Sequence, residues 1–201
     1  LVSLLPASVR AAETVTEIGS AAELAAMSAS GSYKLTQDIE VITPYKSTFN
    51  GTFDGDGHTV TLKLNVTSGN AGLFSETGTG AAIENVIVDA DVTSSVASSS
   101  YGTAGLVGKV SGATTITNCG VTGEVRNTSA TSTAAYVGGL IGYQNGNLTI
   151  NDSYTSCTVT NNSTASSAST GGLIGREANY YTLSAANCYT TGAVTAAKGC
   201  A

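Results

Sequence analysis

Tryptophan is absent from this sequence of 201 residues, histidine and methionine occur once each, and proline twice. A lone histidine is more often structural or solvent-exposed than catalytic. Lysine and arginine together number 8 against 14 aspartates and glutamates, a formal net charge of −6. That excludes the basic patch of a nucleic-acid-binding protein and opposes attraction to anionic membranes. Charged residues make up 11% of the chain, about half the usual share. Long apolar runs are missing too: LVSLL, at residues 1–5, is far too short to span a bilayer, so no membrane-spanning segment is expected.

What is abundant is glycine, with 24 copies, together with serine, threonine and asparagine, and these fall into repeated phrases. AGLFS, AGLVG, VGGLIG and GGLIG place a glycine before leucine at Gly72–Leu73, Gly105–Leu106, Gly139–Leu140 and Gly172–Leu173, in steps of 33, 34 and 33 residues. A second phrase keeps the same beat: IENVIVDADV, ITNCGVTGEV, INDSYTSCTV and a weaker AANCYTTGAV. A period of this length means stacked supersecondary units, none able to bury its apolar face alone.

Aligning the second phrase on Asn85, Asn118, Asp152 and Asn187 gives columns. One residue on lie Val86, Cys119, Ser153 and Cys188; three on, Val88, Val121, Thr155 and Thr190; seven on, Val92, Val125, Val159 and Val194. These small or apolar positions recur with the period of two that marks a strand. Counting back to Ile83, Ile116, Ile150 and Ala185 breaks the alternation, so the chain bends at the asparagine column. Asn and Asp best tolerate the left-handed backbone that such a corner needs. One repeat is therefore one coil of strands, about 4.8 Å from the next. The leucine column fills the core, and the GLxG glycines turn the corner without a Cβ.

The expected fold is all-β: a right-handed parallel β-helix with a short N-terminal capping helix. Ser20-Ala21-Ala22-Glu23 reads as a capping box, and Gly31 ends the helix over residues 20–30. YKLTQDIEVI (33–42) reads as one strand, and residues 49–66 as strand, glycine turn and strand. Residues 1–12 form an apolar N-terminal segment, either the remnant of a secretion signal or a docking strand. Residues 13–201 form a single domain with repeats from about residue 71.

AGLVGKV, GGLIGYQ and GGLIGRE resemble the GLUG motif of bacterial surface proteins. FNGTFDGDGHTV resembles the segment that precedes such repeats, and IGSAAELAAMSASGSYKLTQDIEV is similar to their helix-then-strand opening. Together these stretches cover roughly residues 17–195. The first copy departs from the pattern, with Ser75 where the second glycine belongs. The resemblance implies a β-solenoid that is secreted or at the cell surface, used in adhesion or as a stalk.

The expectation is a non-enzymatic protein. His58 has no nucleophile near it in sequence. Asp89 and Asp91 recur in no other coil as a pair, their column mates being Thr122 and Glu124, then Ser156 and Thr158. No catalytic residue and no cofactor is assigned. Calcium is the one candidate ion, at Asp54 and Asp56 of the DGDG turn. Cys119, Cys157 and Cys188 read as buried thiols. Glu76, Lys109, Tyr143 and Arg176 form an outward ladder that either pins register or offers a ligand strip. Seven N-x-S/T sequons begin at Asn50, Asn65, Asn127, Asn147, Asn151, Asn161 and Asn162 as possible glycosylation sites.

The expected partners are further copies of the chain in a fibre, or neighbouring domains of a surface protein, with a glycan or host ligand as the alternative. For assembly the candidates are Leu1, Val2, Leu4, Leu5 and Val9 as a donated strand, with Tyr189, Val194 and Cys200 on the open last coil.

Overall fold

The computed structural model describes residues 14–198. Among them every strand pair is parallel, as stacking identical phrases of one chain requires. The molecule is a parallel β-solenoid. Four sheets form its walls. Sheet A contains Val15–Ile18, Ser32–Leu35, Thr52–Asp54, Ala81–Glu84, Thr114–Thr117, Leu148–Asn151 and Leu183–Ala186. Sheet B begins with Ile39–Val41, Thr59–Val66, Ile87–Ser94 and Gly120–Asn127, and continues with Tyr154–Thr155, Thr158–Asn161, Tyr189–Thr190 and Val194–Ala196. Sheet C contains Tyr45–Phe49, Phe74–Thr77, Val107–Val110, Ile141–Gln144 and Ile174–Glu177, and sheet D contains Gly102–Thr103, Tyr136–Gly138 and Ser169–Gly171. A full coil visits A, B, D and C in turn.

The columns pair in register: Ile83, Ile116, Ile150 and Ala185 in sheet A; Val88, Val121, Thr155 and Thr190, then Val92, Val125, Val159 and Val194, in sheet B. The A-to-B corner is where the asparagine column predicts it. Asn85, Asn118, Asp152 and Asn187 have φ of 54, 52, 52 and 54°, the left-handed region that costs Asn and Asp least. Side-chain amides run along this corner: Asn85 Nδ2 donates to Asp54 Oδ1 (3.0 Å), Asn118 Nδ2 to Asn85 Oδ1 (2.9 Å) and Asn187 Nδ2 to Asp152 Oδ1 (2.8 Å).

The GL glycines have a different reason from the one expected. Gly72, Gly105, Gly139 and Gly172 are not among the positive-φ residues. Space, not backbone freedom, selects them. A Cβ at Gly139 would meet Cys157 Sγ and Thr155 Cγ2, each at 3.0 Å, as well as the Gly172 carbonyl. Leu73, Leu106 and Leu140 are fully buried, whereas Leu173, in the last described coil, is only partly so.

The helix is shorter than expected. It spans Ala21–Ala25 and ends at Ala26 rather than at Gly31. Its capping box forms: Glu23 N–H donates to Ser20 Oγ, and the Glu23 carboxylate accepts from Gly19 N–H (2.9 Å) and Ser20 Oγ (2.8 Å). The Gly19 N–H, then the Ser20 hydroxyl, hold that carboxyl below its ordinary pKa. Leu24 and Met27 are buried in the core. Beyond the helix, Tyr33 Oη takes the Ser28 N–H (2.7 Å), and the chain turns into sheet A instead of continuing helical. The expected strand 33–42 is two strands, because the A-to-B corner falls at residues 36–38. There Asp38 accepts the Thr59 N–H (2.8 Å), which lowers its pKa foremost.

Aromatic side chains gather at the N-terminal end of the core. Phe49 and Phe74 lie 5.0 Å apart, Phe53 and Phe74 5.3 Å, and Tyr45 and Phe49 5.7 Å. This cluster fills the first coils, which precede the repeat leucines, so other residues must supply the core volume.

Candidate functional site

The DGDG turn is the A-to-B corner of an early coil. Asp54 pairs with Glu84 and Thr59 with Ile87, so four residues here stand opposite two in the next coil. Asp56 (φ 50°) and Gly57 (φ 82°) take up the excess. Asp54 Oδ1 accepts from Asp56 N–H (2.8 Å) and Asn85 Nδ2 (3.0 Å), and Asp56 is ion-paired to Lys34 (3.0 Å). Both carboxylates of the calcium candidate are thus engaged with the chain. Among the described residues no group of three or more His, Cys, Asp or Glu side chains has metal-holding geometry. His58 Nδ1 lies 3.3 Å from Asp38 Oδ1 on the same rim.

On the outer face of sheet B, Asp91 and Glu124 share a column, but a single cation bridges them. Arg126 pairs with Asp91 (3.0 Å) and with Glu124, and its Nε reaches Thr93 Oγ1 (2.7 Å). Lys63 pairs with Glu40 (2.7 Å). Asp89 accepts from Thr122 Oγ1 (3.0 Å). These groups satisfy one another along the strands, as a register-pinning network does.

Sheet C carries the expected ladder, with Glu76, Lys109, Tyr143 and Arg176 as cross-strand neighbours. Lys109 Nζ lies over the Tyr143 ring at 5.9 Å. Arg176 does not share that ring; its guanidinium lies over Tyr136, in sheet D, at 5.7 Å, and the two rings stand 5.1 Å apart. Desolvation raises the Tyr143 pKa. The cations cover ring faces that a ligand strip would have to offer. Tyr136 belongs to a second small core with Ala134, Ala165 and Ala168, beneath the serine- and threonine-rich loops.

Cys119 and Cys157 are buried free thiols, and Cys188 is half-buried. Burial pushes the Cys119 thiol up to about 12 and the Cys157 thiol to about 11, the reverse of an activated nucleophile. Cys200, Leu1, Val2, Leu4, Leu5 and Val9 lie outside the described residues. Tyr189 is exposed and stacks on Tyr154 at 5.5 Å, while Val194 is partly buried against the core.

The sequons divide by burial. Asn127 and Asn161 have no exposed surface to speak of. Asn127 Nδ2 donates to the Val96 carbonyl (2.6 Å), and its Oδ1 accepts from Ser129 N–H (2.9 Å). Asn161 Nδ2 donates to the Ala135 carbonyl and to Thr170 Oγ1, each at 3.0 Å, and its Oδ1 accepts from Ser163 N–H (3.1 Å). Both are structural amides at the roots of loops, closed to modification in the folded protein. Asn50, Asn65, Asn147 and Asn162 are exposed, and Asn151 is partly so.

No protein-family model matches the sequence, and no curated protein matches it. A solved structure does: a Bacteroides ovatus protein described provisionally as an immunoglobulin A1 protease. The match has 16% identity and a TM-score of 0.59, over 90% of this chain and 77% of that one. The chain is similar in fold to that protein, and the fold is a parallel β-solenoid.

Proposed function

We propose that this chain is a non-enzymatic structural solenoid of a bacterial surface or secreted assembly, a stalk element lengthened by coils stacking end to end. One observation carries the reading: the inward columns repeat in register from coil to coil, as Val92, Val125, Val159 and Val194 do, so the fold lengthens by adding copies of one unit. Among the described residues Leu183 and Tyr189 are exposed apolar side chains on the outermost strands of sheets A and B, and a head-to-tail contact made through them would propagate as a fibre. The GLUG-like phrases support the same reading. Proteolysis, provisionally assigned to the structural neighbour, is not carried over, because a likeness at 16% identity shows the fold alone.

Sedimentation velocity and electron microscopy over a range of concentrations test this. The parent should associate into rods one solenoid wide, and Leu183→Lys with Tyr189→Lys should leave folded monomers. A parent that stays monomeric at high concentration, or rods that persist in the double variant, would refute it.

A further inference from the structure

We infer that a groove beside the first GL corner binds a neutral saccharide. This goes beyond the structural role proposed above and does not depend on it. The groove has a volume of about 470 Å³ and lies between residues 42–46, residues 64–70, Ser75, Glu76 and Tyr101.

The groove exists because one rung of sheet D is missing. Sheet D begins where Ala71 bridges to Thr103 and continues through Tyr136–Gly138 and Ser169–Gly171. One coil earlier, residues 42–44 join sheet B directly to sheet C, with no D strand between them. The opposing edge is irregular as well: the pairing of Tyr45–Phe49 with Phe74–Thr77 shifts register between Tyr45 and Thr48. Such a bulge re-aims side chains, and here it carries Lys46 at the groove.

Ser75 decides between two kinds of occupant. Its equivalents in the later coils are Gly108, Gly142 and Gly175. A Cβ at those positions would press on the chain of the coil before: on Ala71 N (3.0 Å) at Gly108, on Gly102 C (2.6 Å) at Gly142, and on Val137 C (2.5 Å) at Gly175. Glycine is required wherever a D strand crosses. At Ser75 no strand crosses, and the side chain occupies part of the space a strand would need. The groove is therefore shaped against strand addition and offers a hydroxyl instead.

The rest of the lining matches the two surfaces of a sugar ring, one of C–H groups and one of hydroxyls. Tyr101 is 42% exposed and Ile42 69%, which provides an aromatic and an aliphatic wall. Asn70 Oδ1 accepts the Gly102 N–H (3.0 Å), which leaves its Nδ2 as a donor. Asn65 adds an exposed amide. Lys46 and Glu76 bring opposite charges, so the groove favours no charged ligand. A concave site with an aromatic wall and a few convergent polar groups is the form small-ligand sites take.

The test uses the intact chain with four neutral disaccharides as probes: maltose, cellobiose, lactose and mannobiose. A glucuronate-containing disaccharide serves as the charged control, and the peptide AAYVGGL, residues 134–140, as a strand probe. Binding is read by saturation-transfer NMR and calorimetry. At least one neutral disaccharide should bind saturably in the millimolar range or tighter. Tyr101→Ala should weaken it about tenfold without changing the melting temperature. Absence of binding by all four, or binding that Tyr101→Ala leaves unchanged, overturns the inference. So does preferential binding of the charged control. Preferential binding of AAYVGGL, strengthened in Ser75→Gly, would overturn it in favour of a strand acceptor.

Discussion

Asn118 and Asp152 occupy the same corner column one coil apart, with the same φ of 52°, yet no hydrogen bond joins their side chains. Asn118 Nδ2 is spent on Asn85, and Asp152 Oδ1 accepts from Asn187 Nδ2. Acceptor therefore faces acceptor at this one step of the ladder. Asp152→Asn supplies the missing donor. It should stabilise the protein by about 1 kcal/mol, seen as a rise of about 2–4 °C in melting temperature. An unchanged or lower melting temperature would mean that water already closes the gap.

The leucine column grades the cost of truncation along the solenoid. Leu140→Ala should cost about 2–5 kcal/mol, the range for a fully buried leucine. Leu173→Ala, at a partly buried site, should cost less. Gly139→Val should destabilise by crowding Cys157, Thr155 and the Gly172 carbonyl. Denaturant melts of the three variants rank them; equal costs for the two leucines would mean that Leu173 is covered as fully as Leu140.

The buried thiols set an alkaline limit. Burial raises Cys119 from an ordinary 9.0 to about 12 and Cys157 from 9.0 to about 11, so above pH 9 the unfolded chain sheds these protons first. Their contribution to stability is complete below about pH 9 and is lost as pH rises towards 11–12. Cys119→Ala with Cys157→Ala should flatten the fall in stability between pH 8.5 and about 10.5. At pH 8 a thiol reagent should label neither residue in the native protein and both in denaturant.

Asn127 and Asn161 should behave as buried hydrogen-bonding groups rather than as glycan acceptors. Asn127→Ala and Asn161→Ala should each cost about 1–3 kcal/mol, because each strands buried backbone partners, while Asn162→Ala should be near neutral. When the protein is made in a cell with N-glycosylation, peptide mapping should find Asn127 and Asn161 bare. Glycan on either would mean the loop roots open before the fold closes over them.

The sequence was readable where neighbouring coils had to say the same thing. Strand alternation exposed the columns led by Ile83, Val88 and Val92, and the break in alternation exposed the asparagine corner, because each is forced by geometry at every coil. The D strands were not readable: at two or three residues they are too short to show a period, and they sit just before the GL phrase. Asn161 stacks on Asn127 and Asn127 on Ser94, so their column changes residue type and looked like two sequons. The choice of Tyr136 by Arg176 depends on a neighbouring sheet, which no in-register count reveals. The aromatic cluster lies outside the repeats and has no column to betray it.

Those buried loop roots also divide the molecule by tolerance to change. Residues 95–101, 128–135 and 162–168 all leave sheet B and return to sheet D along one edge of the solenoid. The latter two are held at their base by Asn127 and Asn161, and a small alanine–tyrosine core lies beneath them. The barrel's columns are complete without their tips. Substitutions at the exposed tips of this edge should therefore be tolerated while the inward registers stay fixed: the fold is a constant spine that carries a row of loops at about 4.8 Å intervals.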